Sequence, residues 1–161
     1  MLHSFAEWLQ DTAFAQWVAI AGFPWIESCH VLCITAVVGT ITIVDLRLLN
    51  LNSKRSRVTR ISNDLLPFTW CAFALAALTG SMLFISKPTA YVADVPFQMM
   101  MLTIALAGLN MLVFHFTAYR RVVDWDGQPD TPIAAKIAAA LSLLFWATVI
   151  ICGRWIGFTL R

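Results

Sequence analysis

Apolar residues dominate four long stretches of the chain, and polar residues gather between them. Pro24 to Leu49, Leu65 to Ile85, Pro96 to Tyr119 and Pro132 to Phe158 each hold 20 or more mostly apolar positions. About 20 such residues cross the hydrocarbon core of a bilayer as a helix. The pattern predicts an all-α integral membrane four-helix bundle, with spans over 24–49, 65–85, 96–119 and 132–158. Helix signals mark the boundaries. Gly22-Phe23-Pro24 breaks the chain and puts proline in the first turn of span one. Asn63 or Asp64 caps span two, with Pro67 in its first turn. Asp94-Val95-Pro96 opens span three, and Thr131-Pro132 opens span four. Asn50–Arg60 and YRRVVDWDGQPD form short polar connections.

Before span one, Ser4 and Glu7 match a capping box. Phe5, Trp8 and Leu9 fall on one side of that helix, and Glu7, Gln10 and Asp11 on the other. The spacing predicts a short amphipathic helix over about 4–20, lying at the membrane surface with tryptophan at headgroup level. Asp11-Thr12 starts a second short turn leading to Trp17. With acidic Glu7 and Asp11 and no basic n-region, the stretch does not read as a signal peptide.

Composition agrees. Of the 161 residues 60% are hydrophobic and 12% charged, with a mean hydropathy of +0.75. A soluble domain carries roughly twice that charge fraction. A formal net charge of +2 gives no basis for nucleic-acid binding. Position matters more than sum. Eight of the 11 basic residues (Arg47, Lys54, Arg55, Arg57, Arg60, Arg120, Arg121 and Lys136) flank the two connections at one end of the bundle. Lys87, Arg154 and Arg161 lie at the other. The positive-inside rule then places the basic loops in the cytoplasm and both termini outside, in the periplasm of a bacterial inner membrane.

Ionisable groups inside a span are costly and mark candidate sites. At 100° per residue Glu27, His30, Ile34, Val37, Ile41, Asp45 and Leu48 share one face of span one. Glu27 stands one turn before His30, where a carboxylate orients an imidazole and raises its basicity. Arg154 is predicted at a similar depth and is a candidate ion-pair partner for Glu27. Asp45 reads as a carboxylate at the cytoplasmic interface, close to Arg47. Thr103, Asn110 and Thr117 form a polar seam on span three, with Asn110 bonding a neighbouring helix. His115 lies on another face, in line with Gly108, where a flat ligand or a helix could approach. Ala76 and Gly80 on span two read as small-residue packing.

Two histidines on different spans suggest haem b. Their depths, however, differ by roughly 15–20 Å at 1.5 Å per residue, so His30 and His115 do not share one iron, and each needs another partner. A second constellation is soft. Cys29, His30 and Cys33 on span one, Met82 on span two, Met99, Met100 and Met101 on span three and Cys152 on span four are all predicted near the outer surface. Thiolate, thioether and imidazole favour Cu(I). The four cysteines have no CxxC spacing and equally serve as small apolar fillers. The candidate set is therefore His30, His115, Glu27 and Arg154 for a cofactor, and His30, Cys29, Cys33 and Met100 for a metal; the absence of any cofactor is the third possibility.

The ordered set Glu27-x-x-His30, Val44-Asp45-Leu46-Arg47-Leu48-Leu49, Leu65-Leu66-Pro67-Phe68-Thr69-Trp70, Leu106-Ala107-Gly108-Leu109-Asn110 with Phe114-His115, and Gly153-Arg154-Trp155 resembles a family of bacterial four-helix inner-membrane proteins of unknown function. The resemblance implies the four-helix fold with both termini outside, and no activity. No P-loop, GxSxG, HExxH or dinucleotide fingerprint is present. Three functions stay open. The chain is a haem- or metal-associated electron-transfer protein or small subunit of a membrane redox complex, an oligomeric proton or metal-ion transporter or channel, or a structural assembly subunit. The bilayer is its partner in each, with a homo-oligomer or a larger membrane complex around it.

Overall fold

In a computed structural model, which describes residues 7–51, 57–126, 128 and 130–160, the chain is helical throughout its long apolar stretches. We label the helices α1 (Ala13–Trp17), α2 (Phe23–Leu48), α3 (Val58–Ser86), α4 (Pro88–Ala93), α5 (Val95–Phe116), α6 (Val122–Trp125) and α7 (Ile133–Thr159). Of these, α2, α3, α5 and α7 are long and apolar enough to cross a membrane. Helices of 22 to 29 residues measure roughly 33–44 Å, against a hydrocarbon core of about 30 Å. Large apolar side chains face outward along all four, Leu32, Leu78, Leu109 and Leu144 among them. With the length of the spans, that surface defines a multi-pass membrane protein.

The four spans are joined unevenly. α2 packs along α3, α5 packs along α7, and α2 with α7 ties the two hairpins together. α3 and α5 scarcely approach by backbone. They meet through rings at the end that carries both chain termini, where Phe84 and Phe97 stack at 5.6 Å with Tyr91 of α4 beside them. Val37, Trp146 and Val149 form the buried centre, with Ala72, Met100 and Ile104 packed against it. Hydrogen bonds add to the packing. The Thr69 and Thr40 hydroxyls meet at 2.8 Å between α3 and α2, and Asn110 Nδ2 donates to the Ala138 carbonyl at 2.9 Å between α5 and α7. Asn110 thus bonds a neighbouring helix as its mid-span position suggested. Thr103 of the same seam is buried, whereas Thr117 is exposed and donates to its own helix.

Three boundaries differ from the sequence expectation. First, Gly22-Phe23-Pro24 does not break the chain. A π turn over Val18–Gly22 joins α1 to α2, so Ala13–Leu48 runs on as one apolar helix. The widened turn absorbs the N–H that Pro24 lacks. The surface helix is correspondingly shorter. Residues 7–10 are helical, the chain turns at Asp11, and Thr12 caps α1 by accepting from the Ala15 N–H; Ser4 and Phe5 of the capping box lie outside the described residues. Second, neither Asn63 nor Asp64 caps span two. α3 begins seven residues before the predicted Leu65, at Val58, and Pro67 lies well inside it. The cap comes from Asp126, whose carboxylate accepts from the backbone N–H groups of Val58 and Thr59 and from the Thr59 hydroxyl. Third, Thr131 does not cap α7 but donates to Asn50 Oδ1 at 2.9 Å.

Asn50 holds the end of α2. Its φ is 60°, a left-handed conformation that asparagine tolerates better than most residues. Leu51 N–H reaches the Leu46 carbonyl and Asn50 N–H the Arg47 carbonyl, which closes the helix end. Asn50 Oδ1 also accepts from Arg47 Nη1 at 3.2 Å. Arg47, Asn50, Thr131, Thr59 and Asp126 thereby lock the basic end of the bundle, over a small core of Leu48, Val58, Trp125 and Ala135.

Candidate functional site

Near the terminal end the inward face of α2 meets α3, and His30 is the polar residue between them. Its Nδ1 lies 3.0 Å from Thr79 Oγ1. The Thr79 hydroxyl has one hydrogen, and the Leu75 carbonyl lies 2.7 Å away to take it. Thr79 is then left to accept, so the proton belongs on His30 Nδ1 and Nε2 carries the free lone pair. The Ala76 carbonyl, 3.2 Å from the Thr79 hydroxyl, is a second acceptor on the Nδ1 side of the ring. Gly80 supplies the space. A Cβ built there would sit 3.0 Å from His30 Cε1, tighter than most such contacts, so the ring would have to shift. The Ala76–Gly80 pair, which as sequence reads as helix packing, is the slot for the imidazole.

Glu27 lies one turn earlier on α2 and is exposed. Its carboxylate acts through space on two groups, His30 and Tyr91. Burial, and then the charges of Glu27 and Asp94, push the Tyr91 phenol above its ordinary pKa. Glu27, His30, Thr79 and Tyr91 therefore make one polar district at this end, with Trp17 and Trp25 exposed nearby in the chain and suited to an interfacial belt.

The other candidates are placed apart. His115 is exposed at the far end of α5, its ring tilted against Tyr119 at 4.9 Å, its Nδ1 3.3 Å from the Met111 carbonyl of its own helix. It does not join His30. No Cβ at Gly108 would touch anything, so that glycine faces open space. Arg154 holds its guanidinium over the Phe158 ring at 5.0 Å. Among the described residues it forms no ion pair with Glu27. Cys29 and Cys33, one helical turn apart on α2, are free thiols. Met100 belongs to the buried centre, near Gly153. Among the described residues no three of His, Cys, Asp or Glu come together in a way that could hold a metal.

Asp45 departs from its expected place. It is 5% exposed, and Ser142 of α7 is its hydrogen-bond partner. Its Oδ2 is buried with no partner at all. This carboxylate is buried against α7. Sequence reasoning missed Thr79, Gly80 and Tyr91; only the small-residue spacing on span two gave a signal, and it pointed to packing.

Fold, apolar surface and internal polar contacts together define a multi-pass α-helical membrane protein. The chain belongs to a family of unknown function, DUF6644, whose family model matches residues 5–159. No curated protein and no solved structure matches it.

Proposed function

We propose that the protein is a small membrane subunit of a redox assembly, in which His30 offers Nε2 as a ligand to haem b. The observation that carries this reading is the bonding of the ring: Nδ1–H given to Thr79, the Cε1 edge against Gly80, and Nε2 with no hydrogen-bond partner among the described residues. Histidines that ligate a metal are held in this way, by a hydrogen bond on the other nitrogen. When bound, the haem supplies one-electron chemistry; the chain supplies an oriented ligand and a dry, apolar surround. Since His115 lies elsewhere, a second axial ligand would come from another chain, which supports a subunit role. The distribution of lysine and arginine supports an orientation with His30 on the side away from the cytoplasm.

The test is an absorbance spectrum of the detergent-purified protein, oxidised and then reduced with dithionite, with iron and copper counted on the same sample. We expect a Soret band that shifts on reduction, is lost in His30→Ala and is kept in His115→Ala. A colourless sample without iron would overturn the proposal. Copper in that colourless sample would instead favour a soft-metal protein, and its loss in Cys29→Ala, Cys33→Ala or Met100→Leu would say which residues hold it.

Asp45 favours a second reading, an oligomeric carrier of protons or metal cations. A buried carboxylate oxygen without a donor is costly, and a translocated proton or cation would satisfy it. In proteoliposomes that enclose a pH-sensitive dye, the wild type would dissipate an imposed proton gradient. Asp45→Asn would slow this about tenfold or more while the helical content is unchanged. Equal rates in the two proteins would end this reading.

A further inference from the structure

A cleft opens at the basic end between the C-terminal end of α5 and the start of α7. It has a volume of about 770 Å³, and its lining includes Thr117, Arg120, Arg121, Trp125 and Pro132, with Phe116 at its edge. Its character is divided. Arg120 and Arg121 are the charged residues of the lining, and among the described residues neither has an ion-pair partner. The closest acidic residue in sequence, Asp124, is exposed and pairs with neither arginine among the described residues, and Asp126 is turned away and occupied, capping α3. The Trp125 indole is likewise committed, donating to the Ala118 carbonyl at 3.1 Å, so it acts as a fixed apolar wall. Phe116 of the lining is exposed, and Val113, Ile133 and Ile137 are exposed near it in sequence on α5 and α7.

Two free guanidiniums with exposed apolar side chains near them in sequence, at the level where a span leaves the bilayer, complement an amphiphile with an anionic head. Guanidinium binds phosphate through paired, charge-assisted hydrogen bonds. Basic pockets at the ends of transmembrane helices recognise acidic lipid headgroups on the cytoplasmic side. We propose that this cleft binds the phosphate of an anionic phospholipid, with Arg120 and Arg121 on the headgroup and the acyl chains along Val113, Phe116, Ile133 and Ile137. The lipid would fill the gap between the α5–α7 hairpin and the connection that carries Asp126, and so bear on how α3 is held.

Native mass spectrometry of the intact protein in detergent tests this, with phosphatidylglycerol, phosphatidylcholine or inorganic phosphate added in turn. Wild type should retain phosphatidylglycerol over phosphatidylcholine, and Arg120→Gln/Arg121→Gln should weaken that retention about 10- to 30-fold. Arg60→Gln/Lys136→Gln removes the same charge at the same end but outside the cleft, and should lower it less than threefold. Equal retention of the two lipids, or equal losses in the two double variants, would overturn the site. Displacement of phosphatidylglycerol by equimolar inorganic phosphate would overturn the lipid as its occupant. Both double variants change exposed or half-buried residues, and matching circular dichroism spectra confirm that they are folded.

Discussion

Replacing Asp126 by alanine should destabilise the protein by about 2–4 kcal/mol, and the loss should begin at the start of α3. Three donors converge on this carboxylate: the Val58 and Thr59 backbone N–H groups and the Thr59 hydroxyl. The two N–H groups belong to the first turn of a helix, where no intrahelical acceptor exists. Loss of a cap alone costs about 0.5–2 kcal/mol. Here the acceptor is charged, 8% exposed and set against the positive end of the helix dipole, which raises its contribution. Asp126→Asn keeps one acceptor oxygen and should lose about half as much. Chemical unfolding in detergent micelles gives the free energies. Hydrogen exchange over residues 58–62 should rise in the alanine variant before exchange elsewhere does. A loss under about 0.5 kcal/mol would show that water replaces the carboxylate without penalty.

Gly80→Ala should cost about 1–3 kcal/mol in the wild type and almost nothing once His30 is alanine. The added methyl would stand 3.0 Å from His30 Cε1 and 3.5 Å from Nδ1. The ring cannot slide aside freely, because Thr79 holds its Nδ1 from the same helix. Overpacking of this kind costs about 1–3 kcal/mol. With His30 truncated the space is empty, and the same methyl meets no obstacle. A double-mutant cycle therefore yields a coupling of about 1–3 kcal/mol, against the near-zero value of independent sites. Additive effects would mean that the imidazole has moved off Gly80. The same Gly80→Ala variant should also shift or weaken any Soret band that depends on His30, since it displaces the ring from the Thr79 hydroxyl.

Both results turn on contacts that local pattern does not reveal. Asp126 lies 68 residues from Val58, and a search for a cap near Leu65 finds Asn63 and Asp64 instead. Those two sit inside α3 and are exposed. Gly80 and Ala76 have the spacing of a helix-packing stripe, and nothing local says that an imidazole fills it. Asp45 beside Arg47 has the look of an interfacial carboxylate, yet it turns toward Ser142. His30 was legible as a candidate because an ionisable group inside a span is rare. Asn110 was legible for the same reason, and its bond to α7 was expected in kind though not in partner.

What the sequence by itself determined was the number of spans, the uneven charge of the two ends and the few residues too polar to face lipid. Each of these depends on short-range properties: the length of an apolar run against the bilayer thickness, and the placement of lysine and arginine beside it. What only the tertiary structure decided was which face of each helix turns inward. The spans are apolar on nearly every side, so they carry little directional pattern. In lipid no hydrophobic gradient separates an inner face from an outer one. Close packing and a handful of hydrogen bonds make that choice, and they form between residues far apart in the chain.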